Sequence, residues 1–477
     1  MNDENLVKVD TVTTANYARV DYPTGSKLVW ISAPKHLETK AFRPAQDPFT
    51  DAGELQPVAF NAGEFKQFFM TVNVPKTATE GVYRGVIEVS AGGKKMGDLP
   101  VVIRVLPFVL PPPAPFFDLD RDFIVSVMGN FTIDTYLSLN GGDLALAKTQ
   151  RVAVLRNLRK HGILHPSDLD QDAETVALVK SLGFSTKPWF GKGFIPWFGK
   201  NFGGRMTFDE HMASKAGAIK SRDFYTDLVG HTDVLLGYGD EQGTAFVATH
   251  RNLFKYYHDF GIKIGCAGHD ALLYKGGYTY SLHPFGGFPD EVEHIRPWNI
   301  IGDRLVGFYA GQHVGVENPA FVRRQNGMLS YLSECSMLYN YEFAYGPWND
   351  RANDTYKPMV LAYLTRGGLV DTLGWEGFRE GVDDIRYSTK LMQLARQAIA
   401  SGNTERMLEG RKARQFMALL DGARNDLNEV RAEMVNHILK LSSMVGKQEK
   451  ARCTANMFYC SPWRGCRVLA GSFAPPI

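Results

Sequence analysis

The chain has 477 residues, 44% of them hydrophobic and 22% charged. That is the balance of a folded globular protein of two or three domains, and it excludes disorder, collagen and a small disulfide scaffold. The 53 Lys and Arg against 51 Asp and Glu leave a net charge of +2, so no long-range field calls for nucleic acid or an anionic membrane as partner.

The N-terminal Met1-Asn2-Asp3-Glu4-Asn5 is acidic and lacks the basic and apolar regions of a signal peptide. As written the chain is expected to be cytoplasmic; a truncated N-terminus would make it secreted or periplasmic, and localisation stays open. Residues 1–112 read as an all-β sandwich. Phe68, Met70, Val72 and Val74 alternate with Phe69, Thr71 and Asn73. Tyr83, Gly85, Ile87 and Val89 share a face, Ala91-Gly92-Gly93 turns the chain, and Leu99, Val101, Ile103 and Val105 alternate again. A period of two is that of half-buried strands, and short turns between them suggest a sandwich. Leu110-Pro111-Pro112-Pro113-Ala114-Pro115 fits neither a sheet nor a helix interior and marks a stiff linker.

From 117 to 400 the rhythm is strand, then helix. Strand-like runs stand at Phe123–Val127, Lys187–Phe190, Val234–Tyr238, Ile262–Ala267, Leu305–Ala310 and Met337–Phe343. Between them Val152, Leu155 and Leu158 align before Gly162, and Phe246, Leu253, Tyr257 and Phe260 share a face before Gly261, as helices with glycine stops do. This is the size and pattern of a (β/α)8 barrel of TIM type. With six or seven strands recognisable, a doubly wound sheet stays open. Pro188-Trp189-Phe190-Gly191-Lys192 recurs as Pro196-Trp197-Phe198-Gly199-Lys200, read as a long aromatic loop at a strand end. Residues 401–446 are a helical appendage, with Leu427, Met434, Ile438 and Leu441 at helical spacing, and 447–477 a tail without periodicity. Three of the five cysteines fall in that tail; the odd count and the lack of C-x-x-C indicate neither a zinc knuckle nor a full disulfide framework. No apolar run approaches the roughly 20 residues of a membrane span.

The densest polar event is Leu235-Leu236-Gly237-Tyr238-Gly239-Asp240-Glu241-Gln242-Gly243. An apolar strand ends in two adjacent carboxylates, and in a barrel that end is the mouth where catalytic groups sit. Neighbouring side chains on a strand point to opposite faces, so both meet one ligand only where the backbone bends, which Gly239 and Gly243 permit. The plain alternative is that Asp240 caps the helix beginning near Thr244. His161 and His165 stand four apart with Asp168 and Asp170 beyond, but Gly162 and Pro166 break any helical His-x-x-x-His face. No metal-binding histidine motif, phosphate loop or Gly-x-Ser-x-Gly occurs, so neither metal nor cofactor is expected.

The segments GVYRGVIEV and VVIRVLPFVLPPP at the end of the β region, GYGDEQG at the strand end, and LGWEGFREGVDDIRY from Leu373 to Tyr387 together resemble glycoside hydrolase family 123. These are β-N-acetylgalactosaminidase-like proteins with a sandwich followed by a catalytic barrel, and the resemblance covers residues 55 to 400. It implies substrate-assisted hydrolysis, with the adjacent pair falling on Asp240 and Glu241; Gln242 follows where the family commonly has proline. Asp240 would hold the substrate's acetamido N–H, and Glu241 would protonate the leaving oxygen and then take a proton from water. Neighbouring like charges separate two pKa values, as one ionised and one protonated carboxyl require.

Around that pair, Trp189 would stack on a sugar face or anchor a buried loop, as would Trp197. Tyr341 and Glu342 at another strand end, Trp348 beyond them, and His269-Asp270 at a third are the expected substrate-binding residues. Arg379 and Glu380 read as part of an ion-pair network. The expected activity is hydrolysis of terminal β-linked N-acetylhexosamine, N-acetylgalactosamine first, on a glycan or glycoconjugate substrate. Two alternatives stay open: a conventional retaining glycosidase with Glu241 as acid/base and Glu342 as nucleophile, and a catalytically silent carbohydrate-binding protein. The oligomeric state is unknown from sequence.

Overall fold

The computed structural model describes residues 6–11, 17–22, 25–30, 41–42, 62–63, 70–75, 77–192, 207–237, 244–268, 281–284, 295, 299, 305–307, 319–344, 361–365 and 368–444. The chain forms two compact units. The first comprises Met1–Thr50, Pro113–Thr389 and Leu419–Arg431; the second comprises Asp51–Pro112, Lys390–Ala418 and Ala432–Ile477.

In the second unit, β5 (Gly81–Ala91) and β6 (Lys94–Val105) make a long antiparallel hairpin. Gly92 and Gly93 supply its two-residue turn at φ +54° and +75°, the left-handed geometry that favours glycine and matches strand twist. Alternation puts Ile87, Val101 and Ile103 on one buried face, packed with Met70, Val72, Tyr83 and Leu99. The expected strand at Phe68–Val74 needs correcting. Met70 and Val72 bury as the alternation requires, yet residues 70–75 join no ladder among the described residues. A period of two reports burial; it does not supply a hydrogen-bonding neighbour.

The first unit opens with β1 (Leu6–Thr11), β2 (Tyr17–Tyr22), β3 (Gly25–Trp30) and β4 (Ala41–Phe42), an antiparallel sheet in the order β3-β2-β1-β4. Parallel strands follow: β7 (Ile124–Val127), β8 (Trp189–Gly191), β9 (Val234–Gly237), β10 (Lys263–Gly268), β11 (Ser281–Pro284), β12 (Leu305–Val306) and β13 (Met337–Asn340). Five of them form a sheet in the order β12-β11-β10-β9-β8, and β13 pairs with β7, all in parallel. The strand β11 went unrecognised in the sequence.

Further backbone bonds link these ladders. The Ser336 N–H donates to Val306 O at 2.8 Å, the Leu164 and His165 N–H groups both donate to Val125 O, and the Ser185 N–H donates to Leu164 O at 2.9 Å. Ile124, Phe190, Leu235, Leu305 and Met337, from five parallel strands, meet in one buried cluster.

The helices α1 (Ile133–Leu139), α2 (Leu144–Lys160), α3 (Ala173–Ser181), α4 (Phe208–Val229) and α5 (Thr244–Asp259) lie between those strands in the chain. Their starts follow from capping chemistry. Asp143 and Asp172 accept N–H bonds from Leu146 and Thr175, and Thr207 with Glu210 forms a reciprocal capping box. The buried face of α2 carries Ala147, Val154, Leu155 and Leu158, with Val154 in the place expected for Val152. A further helix, α6 (Pro319–Arg324), continues through a wide π turn at Gln325–Leu329 to Ser330–Leu332. The hairpin β14 (Ala362–Thr365) and β15 (Gly368–Asp371) leads into α7 (Leu373–Ala400); α8 (Thr404–Ala418) and α9 (Leu427–Met444) follow. No described helix is long and apolar enough to cross a membrane.

Candidate active site

Two neighbouring strands and the loops that leave them set the site. The chain leaves β7 through Met128 and Gly129, and the Gly129 N–H donates to Asp168 Oδ2 at 3.3 Å. A side chain at Gly129 would strike Phe131, whose ring reaches within 2.4 Å of the Cβ position. Asp168 follows the segment 163–165 that bonds to β7, and its φ of +50° lies in the left-handed region that aspartate tolerates better than most residues. Ser167 Oγ lies 2.8 Å from Val127 O and 2.8 Å from Asp168 Oδ2.

The loop is clamped from beneath. Buried Arg151 pairs with Asp170 at 2.9 Å and donates through Nε to Phe131 O, while Asp170 accepts the Ile133 N–H. His165 Nδ1 accepts the Val125 N–H at 3.3 Å; burial lowers its pKa to about 4, so the ring stays neutral.

From the other side, β13 presents Tyr339 at its end and runs on into Tyr341 and Glu342. Burial raises the Asp168 carboxyl above its ordinary range, against hydrogen bonds from Ser167 and Gly129 and the charge of Lys192. Burial pushes Glu342 up to about 7; a hydrogen bond with Tyr341 opposes the rise and the Asp168 charge adds to it. The Tyr339 phenol is driven well above its usual value by burial and by the Asp168 charge, while a hydrogen bond with Ser167 opposes. Two buried carboxyls and a neutral phenol thus act on one another's charge beside the end of β13, and Glu342 can hold a proton at neutral pH. Environments that shift pKa in this way are the mark of sites that move protons.

Of the residues expected from sequence, Tyr341 and Glu342 are in this group. Trp189 is 1% exposed and its indole N–H donates to Gln171 Oε1 at 2.8 Å. It is enclosed as an anchor of β8, the second of its two sequence readings, with no face open to a sugar. Asp240, Glu241, His269, Asp270, Trp197 and Trp348 lie outside the described residues; β9 ends at Gly237 and α5 begins at Thr244 on either side of the Asp-Glu pair.

His161 and His165 take different partners and share no site: His161 Nδ1 lies 2.9 Å from Asn157 O. The Leu373–Tyr387 segment forms the start of α7, and its charged residues join a buried network with Arg323 and Arg431. Asp168 was legible only as a weak metal candidate, because the segment 163–165 that bonds to β7 carries no strand periodicity.

No family model matches the chain, and none of the curated proteins does. Among solved structures, GH5_18 from Streptomyces cattleya in complex with GlcNAc is 11% identical, with a TM-score of 0.37 over 55% of this chain and 80% of that one. A GH5_18 from Bifidobacterium longum subsp. infantis is 12% identical, with a TM-score of 0.34 over 54% and 78%. A sugar phosphate isomerase/epimerase from Parabacteroides distasonis is 12% identical, with a TM-score of 0.31 over 58% and 98%. Overlays this partial assign no activity.

Proposed function

We propose that this chain is a glycoside hydrolase that removes terminal β-linked N-acetylhexosamine, N-acetylgalactosamine first, by substrate-assisted retaining hydrolysis. The observation that carries the reading is the electrostatic coupling of buried Asp168 and Glu342, with Glu342 pushed up to about 7 chiefly by burial. The scaffold belonging to it is an eight-stranded parallel barrel in which residues 163–165 stand second, between β7 and β8. The bonds of Leu164, His165 and Ser185 on one side, the Ser336–Val306 bond on the other, and the shared cluster of five strands support that closure. The hairpin of β5 and β6 and the residues on its buried face are proposed as part of a sandwich.

In this reading the substrate's own acetamido oxygen attacks the anomeric carbon. Asp240 holds the amide N–H, and Glu241 protonates the leaving oxygen and later deprotonates water. Glu342, protonated, donates to a sugar hydroxyl, and Tyr341 orients it. The conventional rival asks Glu342 to act as nucleophile, which needs the ionised form; burial works against that role.

The test is turnover of chromogenic β-GalNAc and β-GlcNAc glycosides, with and without a thiazoline mimic of the cyclised acetamido group. Turnover blocked by the thiazoline is expected. Turnover indifferent to it would favour a conventional pair, and binding without turnover on both substrates would leave a silent carbohydrate-binding protein. Within the pair, Glu241→Gln is expected to lose most on substrates with poor leaving groups, by about 10²–10⁴-fold, while Asp240→Asn slows all substrates alike.

A further inference from the structure

Where α2 ends, one imidazole and two carboxylates turn toward a common point. His161, at the C-terminus of α2, is 3% exposed and its Nε2 has no hydrogen-bond partner among the described residues. Asp371 Oδ2, at the end of β15, lies 3.8 Å from that nitrogen, and Glu376 Oε1, in the first turn of α7, lies 3.7 Å from it. Among the described residues these are the one group whose potential ligand atoms all fall within 4.8 Å of one another.

The distances decide between two readings. A hydrogen bond to either oxygen would need about 2.7–3.2 Å, so neither is made. Ligands about 2.1 Å from a shared ion at the tetrahedral angle stand about 3.4 Å apart. The separations of 3.8 and 3.7 Å are longer than a hydrogen bond and come near that ligand spacing.

Each group's remaining polar atom is already held. His161 Nδ1 lies 2.9 Å from Asn157 O; as donor there it leaves the Nε2 lone pair facing the carboxylates. Asn157 Nδ2 donates to Asp371 Oδ1 at 2.7 Å, and Asn157 Oδ1 accepts the Trp375 indole N–H at 2.8 Å. Arg379 Nε donates to Glu376 Oε2 at 2.8 Å, and Trp375 stacks on the His161 ring at 4.6 Å. Outer partners that fix ring tautomer and carboxylate orientation are what a metal centre uses to aim its ligands. The Asp371 side chain keeps 34% of its surface open, which leaves an entry path and room for water as a further ligand.

We infer that His161 Nε2, Asp371 Oδ2 and Glu376 Oε1 bind a first-row divalent cation, joining the end of α2 to the start of α7 independently of the proposed hydrolysis. One imidazole with two carboxylates suits zinc or manganese better than calcium or magnesium.

The test uses the full chain, stripped with chelator and titrated with Zn²⁺, with Co²⁺ visible absorption as the reporter of a histidine–carboxylate site. One ion per chain is expected, together with a rise in Tm of about 4 °C or more. Asp371→Asn and Glu376→Gln, which keep size, should each abolish that ion and that rise. Asn157→Leu should weaken affinity about 10–100-fold with the three ligands intact. Stoichiometry and Tm indifferent to Asp371→Asn and Glu376→Gln would overturn the assignment, as would no Zn²⁺ uptake by the wild-type chain.

Discussion

Glu342 combines a polar role with a poor solvent environment, and its linkage to folding has a definite sign. Its carboxyl ordinarily titrates near 4.5 and in the folded chain at about 7, because burial disfavours the charge. Between those values the native state keeps a proton that the unfolded chain has lost, so stability falls as pH rises through this window. Above about 7 the full penalty is present; below about 4.5 it is absent. Glu342→Gln cannot ionise and is free of it. The variant is therefore expected to melt above the wild type at pH 8, with the gap closing toward pH 5. Parallel melting curves at both pH values would show a solvated carboxyl. Asp168 was hard to find from sequence because its signal is conformational: a left-handed backbone after a short extended segment has no periodicity to read. Glu342 was legible because it ends an apolar run long enough to show one.

At the scale of elements, the segment that carried the family resemblance has a packing explanation of its own. Gly377 and Gly381 lie four apart on α7 and face α6 without side chains between. A Cβ at Gly381 would stand 2.7 Å from Arg323 O and 2.9 Å from Asn326 C, and one at Gly377 would stand 2.3 Å from Pro319 O. Opposite, Gly327 departs from helical backbone at φ −129° and ψ −114° inside the π turn, and its own Cβ position is 2.8 Å from Gly381 Cα. Alanine improves intrinsic helix propensity by about 1 kcal/mol over glycine, but the obstacles here are backbone atoms that cannot rotate away. Overpacking should win: Gly381→Ala is expected to lose about 1–3 kcal/mol net, read from urea midpoints. A gain in stability would mean the helices separate freely. Helices with aligned apolar residues before a glycine stop, such as α2 and α5, were plain in the sequence. The short strand β11 was not, because its four residues complete a sheet whose register is set by neighbours distant in the chain.

For the first unit as a whole, charge burial ties together segments that sequence distance separates. Glu380 pairs with Arg431 and with Arg379, Asp384 pairs with Arg323 at 2.7 Å and with Arg431 at 2.6 Å, and Arg431 also lies over the Tyr387 ring at 5.4 Å. Arg323 further reaches Asn428 and Leu427 O. This is the ion-pair network expected for Arg379 and Glu380, extended to partners on α6 and α9 that no local pattern could name. Burial alone would raise the Glu380 carboxyl, but Arg431 and Arg379 outweigh it and hold the group below its ordinary range. A depressed carboxylate contributes stability that is present above the unfolded value near 4.5 and lost as pH falls through the folded one. Arg431→Met removes the largest of those cations and leaves two buried carboxylates undercompensated, at an expected loss of about 3–5 kcal/mol at pH 7. In the variant Glu380 takes up its proton more readily, so the gap to wild type should narrow on acidification to about pH 4.5. Adding Glu380→Gln should recover part of the loss at pH 7, because it removes a charge that no longer has its partner. Urea unfolding of both variants at the two pH values checks this: an equal loss at each pH, with no recovery in the double variant, would assign Arg431 to packing and leave the charges without a role in holding α6, α7 and α9 together.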